Sequence, residues 1–239
     1  SPNYLCSFPS ECEKTNGLLP SEVAVVGKGL VAITKEFFSD LNVKTAPSFR
    51  FKHVWNQDII IPDPVYYTVL VTLSRFQKQN VGVLKIVNEV LNEKNSNWLR
   101  FWIKPHPSIS EDSMKKWLNS KWPDTFIVIQ GEASYYLPRS NILISGMSSI
   151  CVEAMAVGIP VIEIENTSGI SYSSIPKEIP EDLWRSCKTS QQVFETIQYY
   201  KNRNEEKINE HRELSYQIKK NYFEPVTKES VYKFLGLEI

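Results

Sequence analysis

The sequence predicts an α/β protein with a doubly wound parallel sheet, and three observations lead to this fold class. Short apolar runs alternate with stretches of helical periodicity from residue 66 to residue 165, which is the pattern of strands joined by covering helices. Several of the apolar runs end in polar residues, at the position where open sheets of this class hold ligands. The 239 residues, 42% of them hydrophobic, suffice for one complete core and part of a second.

The first predicted unit is a strand and a helix near the N-terminus. The β-branched run VAVVG (23–27) closes on glycine, and apolar residues then recur at helical spacing over 30–41. The stretch NVKTAPSFRFKHVW (42–55) and the proline-bearing residues 56–64 predict a strand followed by an inter-domain connection. We therefore expect residues 1–57 to be the last part of one α/β domain and its linker.

The second predicted unit begins at Tyr66 and repeats the strand and helix pattern. Strands are predicted over 66–74, 98–104, 125–130, 141–146 and 160–165, and helices around 80–94, 110–120 and 148–157, with a short loop or helix before the fourth strand. This pattern assigns residues 58–200 to a Rossmann-like domain whose parallel sheet is covered on both faces.

Residues 201–239 are predicted to form C-terminal helices that pack back on the domains. One or two amphipathic helices are predicted over 191–221. A final helix over 227–236 begins at the N-cap candidate Thr227 and stops at Gly236. The chain starts at a serine rather than at a methionine, so we expect it to be a fragment with a missing upstream segment.

Charge and cysteine content exclude several classes of protein. The 27 Lys and Arg residues balance the 27 Asp and Glu residues, so no strong overall field attracts nucleic acid or anionic lipid. The scattered cysteines Cys6, Cys12, Cys151 and Cys187 predict free thiols in a reducing cytosol rather than disulfides or a metal site. No apolar run is long enough for a transmembrane helix, and no signal peptide is visible. We therefore expect a cytoplasmic protein.

Three predicted strand exits carry polar groups that can meet at one edge of the sheet. They are Ser74-Arg75, Lys104-Pro105-His106-Pro107 and Gly146-Met147-Ser148-Ser149. In FWIKPHPSIS (101–110) the two prolines hold the lysine and the histidine on a stiff, extended segment. At the third exit two serines open a helix, and the first N–H groups of a helix attract anions.

Together these groups predict a site for a phosphate. Lys104 supplies a positive charge, His106 an imidazole donor, and Ser148 and Ser149 two hydroxyl groups. Either serine alone would be explained as an N-cap, whereas the convergence of all four groups favours a ligand site. Glu153, one turn into the helix, fits either a capping-box carboxylate or a ribose ligand.

The motif KPHP (104–107) and, about forty residues later, SGMSSICVEAMAVGIPVIEIE (145–165) resemble the donor-binding half of GT-B glycosyltransferases. The similarity is to bacterial sialyltransferases and Kdo transferases in particular, which share a His-Pro motif and a Ser-Ser motif. The preceding LPSEVAVVGKGLVAITKEFF (19–38) and APSFRFKHVW (46–55) are similar to the stretch that joins the acceptor and donor domains of bacterial surface-carbohydrate transferases. The resemblance covers about residues 20–236.

The resemblance implies a role for each matching residue. In those families the histidine and the paired serines hold the phosphate of a CMP-activated sugar, which points to His106, Ser148 and Ser149, and the lysine near the nucleotide matches Lys104. A glutamate for the cytidine ribose is matched by Glu132 in IVIQGEASYYL, for which an ordinary surface carboxylate is the alternative. The expected donor-binding residues are Ser74, Arg75, Lys104, His106, Pro107, Glu132, Gly146, Ser148, Ser149 and Glu153.

One part of the family pattern is absent from the sequence. Sialyltransferases of this kind carry a general base in an Asp/Glu-Asp/Glu-Gly motif of the N-terminal domain, and Asp58 in the linker is a poor substitute. We therefore expect the base outside this chain, with His106 as a stabiliser of the leaving group. Such a chain could bind its donor without catalysing transfer. No DxD-like motif ends a strand, so no metal is expected.

The leading hypothesis is a glycosyltransferase that moves Kdo or a sialic-acid-like sugar from a CMP donor to a bacterial surface polysaccharide. Its expected partners are the nucleotide-sugar donor, a glycan acceptor and the missing N-terminal acceptor domain, with no further cofactor and no nucleic acid. The full-length enzyme is expected in peripheral association with the inner face of the membrane. Two alternatives are an enzyme of the polyol-phosphate transferase or UDP-sugar epimerase type, and a non-catalytic nucleotide-binding module.

Overall fold

The structure is a computed structural model that describes residues 11–37, 39–57, 65–93, 96–118, 121–166 and 173–238. Within these ranges the chain forms two parallel sheets. The small sheet consists of β1 (Val23–Val25) and β2 (Val43–Thr45). The main sheet consists of β3 (Tyr67–Thr72), β4 (Leu99–Lys104), β5 (Phe126–Val128), β6 (Ile142–Ser145), β7 (Val161–Ile164) and β8 (Trp184–Cys187).

Helices connect and cover these strands. In chain order they are α1 (Glu11–Thr15), α2 (Gly29–Phe37), α3 (His53–Asn56), α4 (Gln77–Val90), α5 (Glu111–Trp117), α6 (Ala133–Tyr136), α7 (Ile150–Ala156), α8 (Ser190–Lys201), α9 (Glu205–Tyr222) and α10 (Lys228–Leu235). Single 3-10 turns at Phe49–Phe51 and Leu137–Arg139 lie next to α3 and α6.

The main sheet has the strand order β5-β4-β3-β6-β7-β8, and all its strand pairs are parallel. From β3 the chain first builds outward to β5, and it then crosses back to place β6 on the other side of β3. The sheet therefore has a switch point between β3 and β6, which is where doubly wound folds open a crevice for ligands. The predicted fold class, an α/β protein with a doubly wound parallel sheet, is confirmed.

Each face of the main sheet packs into its own hydrophobic cluster, because successive residues of a strand point to opposite faces. Val69 and Val71 of β3 belong to the cluster that α4 and α8 cover. Leu70, between them, belongs to the cluster that α7 and α9 cover. All residues of β3 except Tyr67 are buried, which makes β3 the centre of the domain.

The predicted strands of the main sheet are present, and each is shorter than its predicted range. Strand β8 is an addition that the sequence pattern does not predict. Of its residues only Cys187 is buried, because β8 lies at the end of the sheet order. An edge strand with one buried side chain lacks the continuous apolar run by which the other strands are identified.

Residues 49–56 differ from the expected strand and connection. The strand ends at Thr45, and the chain then forms a 3-10 turn and the helix α3. Phe51 and Val54 are three residues apart and both are buried, which is the spacing of one helical face. The indole N–H of Trp55 donates to the carbonyl of Phe223 at 2.9 Å, so this segment is held against the end of α9.

The N-terminal unit packs directly on the main domain. Leu30 and Ile33 of α2 share a hydrophobic cluster with α7 and α9. The backbone of Tyr222 also approaches Gly27 closely, and the N–H of Glu224 donates to Val26. Residues 58–64 of the predicted connection, which include Asp58, lie outside the described residues, as does Cys6. The domain boundary between residues 57 and 58 stays a prediction.

The C-terminal region has the predicted helices. The range 191–221 contains two helices, α8 and α9, which residues 202–204 separate. The Asn204 side chain caps α9 by accepting from the N–H of Lys207 at 2.9 Å. Helix α10 starts at a capping box of Thr227 and Ser230 and ends at Gly236, whose φ of 68° suits glycine. In the described part of the chain, no helix has both the length and the apolar character needed to cross a bilayer.

The cysteines within the described ranges are free thiols, as predicted. Cys12 is exposed, whereas Cys151 and Cys187 are buried. Burial raises the pKa of both buried thiols, so they stay protonated and act as small apolar side chains.

Candidate functional site

A cleft of about 340 Å³ opens at the carboxyl ends of β3, β4 and β5, beside the start of α7. Its volume lies in the range of sites for small ligands. Most of the predicted donor-binding residues line this cleft, namely Lys104, His106, Pro107, Glu132, Ser148, Ser149 and Glu153. The three groups of Lys104, His106 and Ser148 therefore share one cleft, as the sequence predicts. Their role in binding a donor stays a prediction.

The floor of the cleft lies at the switch point of the sheet. Thr72 ends β3 and lines the cleft, and its hydroxyl donates to Ser145 Oγ at the end of β6 over 2.9 Å. Both side chains are buried, so water does not compete for this hydrogen bond. The bond ties the two central strands together and holds the loops that follow them at a fixed separation.

His106 has a defined tautomer. The backbone N–H of Ser108 lies 3.3 Å from His106 Nδ1, and the Ser108 hydroxyl lies 2.7 Å from the same atom. Because a backbone N–H can only donate, Nδ1 is the acceptor, and the neutral ring carries its hydrogen on Nε2. The turn between Pro107 and Ile109 thus leaves Nε2 as the donor that a ligand can meet.

Lys104 is the last residue of β4 and is half-buried. Its ammonium group donates to the carbonyl of Pro105 at 2.8 Å, which holds the charge near the strand end rather than in bulk solvent. Arg50 is the second permanent cation on the wall of the cleft. Glu132 and Glu153 also line the cleft, so positive and negative side chains face the same space.

The Ser148-Ser149 loop presents its hydroxyl groups without using them to cap the helix. Ser149 is the N-cap residue of α7, and its side chain makes no capping hydrogen bond. The first turn closes instead through backbone bonds, in which Cys151 donates to Ser148 and Val152 donates to Ser149 at 3.1 Å each. The plain N-cap explanation for Ser149 therefore does not describe this helix start.

Glu153 contacts a residue that the sequence does not single out. Its Oε2 lies 3.0 Å from Nε2 of His53 in α3, and the two side chains are only 12% and 21% exposed. The carboxylate is thus held from the side by His53 rather than turned back to the helix start. The capping-box explanation for Glu153 is not what the structure shows.

The wall of the cleft next to α7 comes from the N-terminal segment. Arg50, Phe51 and His53 line the cleft, although the pattern over 42–64 predicts a strand followed by an inter-domain connection. A signal is visible in hindsight, because Arg50 and His53 alternate with the buried Phe51 and Val54 at helical spacing. That interleaving places the basic side chains on one face of the segment and the apolar ones on another.

Glu132 is exposed at the mouth of the cleft. It is the N-cap residue of α6, and its side chain makes no capping hydrogen bond. The preceding Gly131 has a φ of 85°, which turns the chain out of β5 towards this helix. Its predicted contact with a ribose is not tested by this arrangement and stays a prediction.

Ser74, Arg75 and Gly146 are predicted site residues that do not line the cleft. Ser74 is engaged by α4, since its N–H donates to Asn80 Oδ1 at 2.9 Å and its hydroxyl donates to Gln79 Oε1 at 3.0 Å. Gly146 lies under the same Gln79, where a Cβ would come within 2.4 Å of the side-chain amide.

Arg75 lies in a groove next to the cleft rather than in the cleft itself. Its guanidinium lies 4.9 Å from the ring centroid of Phe76, and it lines a neighbouring groove with Ser108, Lys116 and Trp117. In this structure Arg75 is therefore separated from the cleft by the turn that carries His106.

The fold can be compared with solved structures. The chain is similar to S. aureus TarM, with a TM-score of 0.54 and 15% identity over 94% of this chain and 44% of that chain. It is similar to S. aureus MnaA in a structure with UDP, with a TM-score of 0.59 and 14% identity over 98% of this chain and 65% of that one. This is the GT-B fold.

A third GT-B structure is the pneumococcal O-GlcNAc transferase GtfA in complex with UDP and GlcNAc. The TM-score is 0.55 at 15% identity, and the match covers 95% of this chain and 46% of GtfA. At such identities the likeness shows the GT-B fold alone. The chain spans 44% to 65% of the length of these three GT-B structures. The sequence matches no family model and no curated protein.

Proposed function

We propose that this chain is the donor-binding part of a glycosyltransferase that uses a nucleotide-activated sugar. The observation that carries the proposal is the meeting of Lys104, His106, Ser148 and Ser149 around one cleft at the switch point of the sheet. Two of the solved structures with the same fold hold UDP, and one of them is an O-GlcNAc transferase. This supports a nucleotide as the occupant.

In the proposed complex the phosphate of the donor lies between the β4 exit and the start of α7. Lys104 contributes positive charge, His106 donates through Nε2–H, and Ser148 and Ser149 donate through their hydroxyls. Hydrogen bonds to an ionised phosphate are about twice as strong as neutral ones. When the bond between the sugar and the phosphate breaks, negative charge grows on the leaving group, and the same donors stabilise it.

The ribose is assigned to Glu153. A carboxylate can accept from two neighbouring hydroxyl groups, and His53 holds Glu153 in place at the cleft wall. Glu132, the other carboxylate on the cleft, is exposed at its mouth and is the second candidate.

The donor that we propose is CMP-linked, with Kdo or a sialic-acid-like sugar transferred to a bacterial surface polysaccharide. This choice rests on the resemblance of KPHP and SGMSS to the His-Pro and Ser-Ser motifs of CMP-sugar transferases. A UDP-linked donor is the second candidate, because the MnaA and GtfA structures hold UDP. A UDP-sugar epimerase-like or polyol-phosphate transferase activity would use the same cleft.

Isothermal titration calorimetry with CMP, UMP and UDP tests this proposal on the chain of residues 1–239. We expect CMP to bind more tightly than UMP and UDP. A preference for UDP would favour the second candidate. If none of the three nucleotides binds to the folded chain, the proposed function is wrong.

His106 should carry a measurable part of this affinity. We expect His106→Ala to weaken CMP binding by about 1.5–3 kcal/mol, the range for a hydrogen bond to a charged group. Lys115→Ala is the matched control, since its ammonium group pairs with Glu111 at 2.8 Å on the exposed side of α5. Equal CMP affinities of the wild type and His106→Ala, with unchanged circular dichroism, would contradict the assigned role.

A further inference from the structure

A buried carboxyl group lies directly behind the Ser148-Ser149 loop. Glu163 is in β7, in register with Ser145 of β6, and is 4% exposed. Its Oε1 accepts from both the backbone N–H and the hydroxyl of Ser174 at 3.0 Å. A carboxyl group at such a depth costs free energy unless hydrogen bonds compensate it, so its presence calls for a physical reason.

Ser174 connects this carboxyl group to the loop. The backbone N–H of Ser148 donates to Ser174 Oγ at 3.0 Å, and the same Oγ lies 2.9 Å from the carbonyl oxygen of Ser148. A hydroxyl has one hydrogen, so it can serve either Glu163 or the Ser148 carbonyl. Oε1 of Glu163 also accepts from the backbone N–H of Ser174, so it faces Ser174 as an acceptor, and the hydroxyl hydrogen of Ser174 turns towards it.

With its hydrogen turned to Glu163, Ser174 Oγ offers a lone pair to the N–H of Ser148. The peptide group before Ser148 then has a fixed orientation, and the two side chains that follow it are aimed from a fixed backbone. We propose that Glu163 and Ser174 are positioning residues of the phosphate site, which act through the backbone of Ser148. The proposal rests on the proposed function only in naming phosphate as the ligand.

The surroundings of Glu163 favour a role in positioning Ser174 over a role in packing alone. Burial raises the pKa of its carboxyl, while hydrogen bonds from Ser173 and Ser174 act in the opposite direction. Cys151 of α7 is buried beside it, and Glu165 is the other nearby acidic group. An apolar side chain could pack here without these costs, but it could not direct the Ser174 hydroxyl.

Glu165 provides a matched control two residues further along the chain. It is 31% exposed, accepts from Ser186 at 2.9 Å and pairs with Lys188 at 3.2 Å. Glu165→Gln therefore makes the same chemical change as Glu163→Gln without touching the path to Ser148. Ser174→Thr keeps the hydroxyl and serves as the conservative partner of Ser174→Ala.

The first measurement is amide hydrogen exchange of residues 146–150 in the unliganded protein. We expect exchange at Ser148 to be about five- to tenfold faster in Ser174→Ala, which loses one hydrogen bond, with a smaller increase in Glu163→Gln. Ser174→Thr and Glu165→Gln should keep wild-type exchange. Wild-type protection of Ser148 in Ser174→Ala would overturn the proposal, whatever the ligand is.

The second measurement separates phosphate positioning from general loosening of the fold. We expect Ser174→Ala and Glu163→Gln to lower the affinities for CMP and UMP by about three- to tenfold. The affinities for cytidine and uridine, which lack the phosphate, should stay unchanged. An equal loss for nucleosides and nucleotides would overturn the positioning role. If the wild type binds no nucleotide, the proposed function fails, and the exchange result alone still decides whether Glu163 and Ser174 control the loop.

Discussion

His53 and Glu153 show how two side chains from distant parts of the chain form one unit of the site. They are 100 residues apart, and their contact of 3.0 Å depends on how α3 packs against α7. Without His53, the carboxylate of Glu153 would face the cleft with no fixed direction. Because Glu153 is proposed to bind the ribose, His53 should influence how tightly the ribose is bound.

Replacing His53 should lower the preference for ribose. In His53→Ala we expect the ratio of CMP affinity to 2′-deoxy-CMP affinity to fall about three- to tenfold, because about one hydrogen bond to the 2′-hydroxyl would be lost. Titration calorimetry with both nucleotides measures this ratio, and Lys115→Ala again serves as a control. If the ratio is the same in the wild type and in His53→Ala, Glu153 does not meet the ribose through this arrangement.

The sequence predicts those site residues that follow strands directly, such as Lys104, His106 and Ser148, because strand ends of a parallel sheet share one edge. It does not predict His53 or Ser174. Their contacts with Glu153 and Glu163 arise from tertiary packing between separate segments. The helical spacing around His53 indicates a basic face, but it does not indicate which residue that face meets. Ser74 and Arg75 follow a strand as well, but the interactions of Ser74 with α4 and the turn at His106 keep both away from the cleft.

His211 is a buried histidine outside the site. It is 3% exposed, and its Nδ1 lies 2.6 Å from Nη1 of Arg203, which can only donate, so the ring is neutral. Burial, together with the charges of Arg203 and Lys207, lowers the pKa of His211 from 6.5 to about 4. The unfolded chain therefore takes up a proton at a higher pH than the folded chain does.

The consequence is a loss of stability in mild acid. As the pH falls from about 6.5 towards 4, protonation of His211 in the unfolded state should lower the free energy of unfolding by about 1–3 kcal/mol. In His211→Gln, which keeps an acceptor for Arg203, this part of the slope should disappear. Urea denaturation at several pH values measures it. Parallel pH profiles for the two proteins would show that His211 does not make this contribution.

The docking of α9 on the N-terminal unit depends on a glycine. A Cβ at Gly27 would lie 2.4 Å from the carbonyl carbon of Tyr222, which is backbone and cannot rotate away. The adjacent hydrogen bond from Glu224 to Val26 holds the two segments in register. This close approach of α9 also places the carbonyl of Phe223 where it accepts the hydrogen bond of Trp55 in α3.

Alanine at Gly27 should therefore loosen this contact. We expect Gly27→Ala to lower the free energy of unfolding by about 1–3 kcal/mol, the usual cost of overpacking. Gly82→Ala is the control, because Gly82 lies inside α4 with nothing within 4 Å of an added Cβ, and there alanine should stabilise by about 0.5–1 kcal/mol. Urea denaturation compares both variants with the wild type. A Gly27→Ala protein as stable as the wild type would refute the close approach.

The helices and strands that the sequence predicts are those with long apolar patterns, including all strands of the main sheet except β8. The short helices and strands are harder to predict from the sequence. Strand β8 gains its place from pairing with β7 rather than from its own apolar content, and α3 is a helix of one turn. Both are determined by what they pack against, and a single sequence carries little information on that.

The chain as a unit should bind its donor without completing transfer. No acidic motif of the kind that the resemblance implies occurs in its sequence, so we expect the base that activates the acceptor hydroxyl elsewhere. Incubation with CMP-Kdo or CMP-sialic acid and glycan acceptors should release no CMP above background, although the same sample binds CMP. A CMP-sugar transferase of known activity, incubated with its own acceptor, is the positive control. CMP release by residues 1–239 well above background would place the base within this chain.

The contacts of Ser108 with His106 set a direction for proton movement in the proposed reaction. With Nδ1 occupied as an acceptor, the ring already carries hydrogen on Nε2, and this atom cannot remove a proton from an incoming sugar hydroxyl. It can only offer hydrogen to the departing phosphate oxygen. The proton that the acceptor loses must therefore be taken by a group other than His106, so that bond formation and bond cleavage are served by two separate residues.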